Sequence, residues 1–101
     1  MENKQKVLQL LGLARRARKV ETGVDLALAS VRNGKAKLVF CASDAGKNTI
    51  KKMTDKCQSY AVMCSLDLTQ IELSDAIGSK RSVVAVTDTG FSKKFMELLA
   101  D

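Results

Sequence analysis

Gly34-Lys35-Ala36-Lys37-Leu38-Val39-Phe40-Cys41-Ala42-Ser43-Asp44 is the stretch on which the fold turns. Asn33-Gly34 is a helix stop, since glycine adopts the left-handed conformation that ends a helix without a Cβ penalty. Two lysines make a basic turn. Leu38 to Ala42 is apolar without alternation, the signature of a strand covered on both faces. Ser43-Asp44 then offers side-chain oxygens of the type that cap a helix N-terminus. Helix, strand and helix in such short compass imply an α/β chain with helices on both faces of its sheet.

Upstream, Val7, Leu10, Leu11, Ala14 and Ala17 recur at helical spacing and predict a helix over residues 3–18. Arg15, Arg16, Arg18 and Lys19 crowd its end. Cations there suit the helix dipole, but their density also suits phosphate binding, and both readings stand. Residues 20–22 are short enough for only a brief strand. A second helix is expected over 24–32, capped by Thr22 or Gly23 and stopped at Gly34.

Downstream, Ser43-Asp44 is expected to cap a helix over 45–58, with Ile50, Met53 and Cys57 inward and Lys47, Lys51, Lys52 and Lys56 outward. A strand is expected over 60–64. Thr69-Gln70-Ile71-Glu72 is a capping box, with Leu68 and Leu73 at the positions of a hydrophobic staple. The helix it opens ends at Gly78. Ser79-Lys80-Arg81-Ser82 makes a polar, basic turn before a strand over 83–87, and Phe91, Phe95, Leu98 and Leu99 define a terminal amphipathic helix. The chain carries no internal repeat or linker and is expected to form one domain over residues 1–101, a sandwich of helices around a small parallel or mixed sheet built from doubly buried strands.

Composition limits the chemistry. Lys and Arg number 17 against 11 Asp and Glu, a net charge of +6. That balance favours a polyanionic partner, nucleic acid before a membrane surface. No apolar stretch reaches membrane-spanning length, and no signal-peptide or lipidation pattern is present, so a cytoplasmic protein without membrane contact is expected. With no histidine, Ser-His-Asp and Cys-His catalysis and most zinc sites are excluded. The odd set Cys41, Cys57 and Cys64 reads as small buried hydrophobes in a reducing compartment. No enzymatic activity, cofactor or metal is expected.

In sheets of this kind ligands gather where several helix–strand junctions share one edge. Three junctions carry polar, flexible chemistry: Thr22-Gly23, Ser43-Asp44-Ala45-Gly46 and Gly78-Ser79-Lys80-Arg81.

A resemblance joins these pieces. Gly23, Val31-Arg32-Asn33-Gly34-Lys35-Ala36-Lys37-Leu38-Val39, Ser43-Asp44, Glu72-Leu73, Ala76-Ile77-Gly78 and Val83-Val84-Ala85-Val86 resemble, in order, the kink-turn-binding ribosomal protein superfamily of L-seven-Ae and L-thirty-e type. Residues 48–57 and 88–94 are closer still to its bacterial YlxQ-like branch. The resemblance implies a three-layer α-β-α sandwich with an approximately four-stranded mixed sheet, no catalysis, no cofactor, and binding of structured RNA. In the superfamily, Asn, Glu and Lys at the start of the second helix grip guanine edges of a sharply bent stem. Here those positions hold Asp25, Leu26 and Ala29. Leu26 offers no acceptor and Ala29 no donor, so weak reading of a standard kink-turn is expected. Leu26, Leu28 and Val31 read as helix core.

The resemblance and the junctions together make Thr22, Gly23, Val24, Asp25, Ala29, Lys35, Asp44, Lys47, Gly78, Ser79, Lys80, Arg81 and Ser82 the expected contact surface of a monomer for structured RNA, ribosomal RNA or a ribosome-associated RNA. Lys47, Lys80 and Arg81 would meet phosphates, while Asp44 fits a helix cap better than a contact. The alternative is a protein-interaction module of the translation or transcription machinery that uses the same fold without RNA.

Overall fold

Strand alternation organises the molecule. In β2 (Leu38–Cys41) and β4 (Val83–Val86), all eight side chains are buried, and successive ones enter opposite cores. Leu38, Phe40, Val84 and Val86 join Val7, Leu11 and Ala14 of α1 (Lys4–Arg16), Leu73 and Ile77 of α4 (Gln70–Ile77) and Phe95 of α5 (Thr89–Leu99). Val39, Cys41, Val83 and Ala85 pack instead on Ala27, Leu28 and Val31 of α2 (Val24–Arg32) and Met53 and Cys57 of α3 (Lys47–Ser59). The period of two in a strand forces this division. The result is a three-layer sandwich, α1, α4 and α5 on one face and α2 and α3 on the other. The structure, a computed structural model, describes residues 2–100.

β1 (Val20–Thr22) and β3 (Met63–Ser65) complete a four-stranded mixed sheet in the order β1-β4-β2-β3. β4 runs antiparallel to both β1 and β2, and β3 runs parallel to β2. The larger core is closed by an edge-to-face pair, Phe40 and Phe95, with centroids 5.1 Å apart and planes at 73°, the geometry that aromatic quadrupoles favour.

Several expectations need correction. α3 begins at Lys47 behind Gly46, which makes no side-chain cap. Ser43 does not cap it: the Ala42 and Ser43 amides bond the carbonyls of Ser82 and Leu68, both at 2.8 Å, and the chain then turns, with the Ala45 amide on the Ala42 carbonyl at 3.1 Å, before α3 begins. The expected strand over 60–64 starts only at Met63. Tyr60 and Ala61 still belong to the end of α3, where Ala61 turns left-handed (φ 55°) and Val62 returns its amide to Cys57. The strands are not all doubly buried either: β1 and β3 lie at the sheet edges and are covered only in part. Leu26 is not helix core. It is 54% exposed, whereas Leu28 and Val31 are buried.

Candidate nucleic-acid interface

The sheet directions bring the three polar junctions to one end. β1 and β2 finish there and β4 begins there. The Gly23 amide donates to the Val83 carbonyl at 2.8 Å, and the Ala42 amide to Ser82 at 2.8 Å, so the β1–α2, β2–α3 and α4–β4 connections are laced together by backbone.

Gly23 sits at the centre. Its φ of 97° is a conformation that L side chains rarely adopt, and a Cβ there would lie 3.8 Å from Cδ and Nε of Arg81. The spacing is an ordinary van der Waals distance, so it is the backbone conformation that calls for glycine, and the start of α2 lies beside the basic turn. α2 opens without a side-chain cap, so its first amides remain available to an anion. Asp25 and Ala29 follow one turn apart on the exposed face, with Leu26 beside them. Val24 is half-buried against the α2–α3 core.

The α4–β4 turn is built to be rigid. Gly78 closes α4 in the left-handed conformation (φ 81°), with its amide on Ser74 at 2.8 Å. The Ser74 hydroxyl then accepts from the Arg81 amide at 3.0 Å and donates to the Arg81 carbonyl at 3.1 Å. The Arg81 guanidinium donates to the Lys80 carbonyl at 2.8 Å. Ser74, Asp75, Gly78, Ser79 and Lys80 line an open depression of about 540 Å³. Half-buried Ser82 contributes its carbonyl to the lacing already described.

Asp44 does act as a helix cap, but of a different helix. Its Oδ1 accepts from the Gln70 amide at 2.8 Å, satisfying the first residue of α4 across 26 positions of sequence. Thr69 and Glu72 complete the reciprocal box on that helix. The Thr69 amide, and after it Lys4 at 2.9 Å, hold the Glu72 carboxyl below its ordinary value. Lys47 lies at the first position of α3, exposed. Among the described residues, Lys47, Lys80 and Arg81 make no ion pair, although Asp75 lines the same depression as Lys80.

Lys35 is the one candidate that the structure separates from the rest. It precedes β2, and the Lys37 amide reaches the Val86 carbonyl at the far end of β4, so Lys35 lies at the opposite end of the sheet. The reading from sequence also passed over Ser74, for which no local pattern gives a signal. It did not anticipate that Leu26 and Ile71 would be exposed, the latter by 72%. For Leu26 a signal was present: Ala29 and Asn33, three and seven positions on, share its stripe of the helix and carry no large apolar group.

Cys41, Cys57 and Cys64 are all free. They converge on the α2–α3 side of the sheet. Burial, aided by Cys64, pushes the Cys41 thiol from 9.0 up to about 11. No group of three or more His, Cys, Asp or Glu among the described residues is placed to hold a metal ion, and none of their helices is long and apolar enough to cross a membrane.

Comparison with known proteins agrees with this geometry. The family model described as "Ribosomal protein L7Ae/L30e/S12e/Gadd45 family" matches residues 5–96. An RNA-binding protein YlxQ of Enterococcus faecium is 46% identical over 97 residues, covering 96% of this chain and 94% of its own length. The RNA-binding protein YlxQ of Bacillus subtilis is 50% identical over 91 residues, covering 89% and 91%. A solved structure of a protein of unknown function from Bacillus halodurans superposes with a TM-score of 0.91 at 43% identity, over 95% of this chain and 98% of the other. The Giardia lamblia 15.5kD RNA binding protein, at 20% identity and a TM-score of 0.85 over 99% and 87%, shares the fold. Matched along nearly its whole length by both the family model and these relatives, the chain belongs to the ribosomal protein L7Ae/L30e/S12e/Gadd45 family, in its YlxQ-like branch.

Proposed function

We infer that this chain is a non-catalytic RNA-binding protein of the cytoplasm whose target is structured RNA, ribosomal RNA or a ribosome-associated RNA. The observation that carries this reading is the nearness of Gly23 to Arg81, which sets the open start of α2 beside a basic turn whose cations make no ion pair among the described residues. The names of the Enterococcus and Bacillus relatives support it. Backbone amides at the uncapped α2 terminus would take one phosphate, and Lys47, Lys80 and Arg81 its neighbours. Shape and phosphate contacts would dominate. Phe40 and Phe95 are buried, and the exposed Tyr60 lies at the end of the sheet away from the junctions, so this edge has no stacking platform for a single strand.

Binding to a folded ribosomal RNA fragment is expected to weaken steeply as salt rises through the physiological range. Lys80→Ala with Arg81→Ala should lower the slope of log affinity against log salt by roughly 1–2, since each removed cation leaves about one fewer counterion to be released. An affinity that barely responds to salt sinks the phosphate-dominated reading.

Exposed Leu26, an apolar side chain where the superfamily reads a base, favours a second reading as a protein-interaction module. Partners retained directly by purified protein after nuclease treatment, and no longer retained by Leu26→Lys, would support it over RNA binding.

A further inference from the structure

The pole of the sheet opposite the Gly23–Arg81 edge carries a second basic surface. There α1 ends with Arg15 and Arg16, Arg18 and Lys19 lead into β1, and Lys35 and Lys37 lead into β2. All six are exposed. Backbone pairing fixes their proximity: the Thr87 amide bonds the Lys19 carbonyl at 2.9 Å, and the Lys37 amide bonds the Val86 carbonyl at 2.8 Å. Lys19 and Lys37 therefore flank the end of β4 from its two sides, about two inter-strand spacings or ~10 Å apart. They lie within about one Debye length of each other at ordinary salt and act on a single anion track.

The dipole of α1 accounts for Arg15 and Arg16 in its last turn at most, not for Lys19, Lys35 and Lys37 beyond it. The carbonyls of Leu13, Arg15 and Ala14 are taken by the amides of Ala17, Arg18 and Lys19, at 2.9, 3.0 and 2.9 Å. Among the described residues no carboxylate pairs with any of the six. Asp88, the acid nearest in the topology, is engaged by the Phe91 amide at 2.8 Å, and Glu21 is half-buried on β1. Lys37 alone reaches a helix end, the Gly34 carbonyl, at a long 3.4 Å.

We propose that this pole is a second RNA-binding surface, which takes the phosphate backbone of an RNA segment distinct from the one at the Gly23–Arg81 edge. It rests on the reading of the chain as an RNA binder. Residues 82 and 87, which bracket β4, are separated by roughly 17 Å along the strand, more than a Debye length at about 0.1 M salt, so the two surfaces are electrostatically separate. A protein with both clamps two segments of one folded RNA, or two helices, across its sheet.

The test uses the full chain and, as probe, a labelled RNA duplex of about 16 base pairs. Four proteins are titrated at several salt concentrations: wild type, the pole variant (Arg15→Gln, Arg16→Gln, Lys19→Gln, Lys37→Gln), the edge variant (Lys80→Ala, Arg81→Ala), and a charge-matched control (Lys6→Gln, Lys52→Gln, Lys56→Gln, Lys93→Gln). The pole variant should bind at least tenfold more weakly, with a salt slope reduced by about 3, while the control stays within threefold of wild type. Circular dichroism melts within a few degrees of wild type establish that the pole variant is folded; if it is not, Lys19→Gln with Lys37→Gln is read instead, with a slope reduced by about 1–2. Equal losses in the pole variant and the control would overturn the proposal, because net charge alone would then explain binding. So would a pole variant that binds RNA like wild type but loses affinity for phosphatidylserine vesicles. An edge variant without effect, beside a weakened pole variant, would instead refute the proposed function of the edge and leave the pole standing.

Discussion

Leu26 shows how one side chain separates fold from recognition. It is an alkyl group at the position where the resembled superfamily has an acceptor, and it is exposed, outside both cores. Asp25 and Ala29 share its exposed surface, so all three lie outside the packing of α2 on the sheet, and under the proposed function they would bear on what α2 contacts. Each base edge left buried and unpaired costs roughly 1–3 kcal/mol. Asp25→Asn, Leu26→Glu and Ala29→Lys together should therefore raise affinity for a standard kink-turn RNA by tenfold or more, measured at fixed salt by calorimetry. No gain would mean that this helix start does not meet the bases. Asp44 carries the opposite lesson: its type was legible as a cap, but the amide it caps lies 26 residues away. A local pattern names the chemistry of a side chain and not its partner.

At the scale of elements, α4 is where local signals and structure agree most fully. Its capping box forms with Glu72 Oε1 2.9 Å from the Thr69 amide, and Leu68 and Leu73 are buried on either side. Thr69→Ala should destabilise the protein by about 1 kcal/mol, the usual cost of removing an N-cap, seen as a lower urea midpoint at unchanged m-value. Because Glu72 has its carboxyl held below 4.5 in the folded state, it favours folding when ionised. That contribution is complete above the unfolded value and fades as pH falls through the folded one. Glu72→Gln should accordingly lose stability at neutral pH and show a shallower decline than wild type in acid; parallel curves would contradict this. Elsewhere the boundaries moved for tertiary reasons. α3 starts behind Gly46, after the Ala42 and Ser43 amides have bonded the chain before β4 and before α4, and β3 is short because Ala61 must first reverse the chain.

For the whole molecule, two cores divided by a fully buried pair of strands make the sheet the stiff reference that both basic surfaces share. Phe40 and Phe95 close one core, and Phe40→Ala should cost about 3–5 kcal/mol, measured by chemical denaturation. In the other core, Cys41 titrates only at about 11 against 9.0 when free. The folded state then holds its proton where the unfolded state releases it, so stability should fall as pH climbs from 9.0 toward about 11. Cys41→Ala should flatten that part of the stability–pH curve, and an unchanged slope would rule the thiol out as its source. The sequence by itself determined the element types and order, the sandwich class, the basic character and the family resemblance, because periodicity, caps and glycine stops act over a few residues. Only the tertiary structure decided which cations share a surface. Gly23 meets Arg81 and Lys35 joins the α1 cluster because β4 runs antiparallel between β1 and β2, and strand order and direction are set by the packing of distant segments, which no local pattern records.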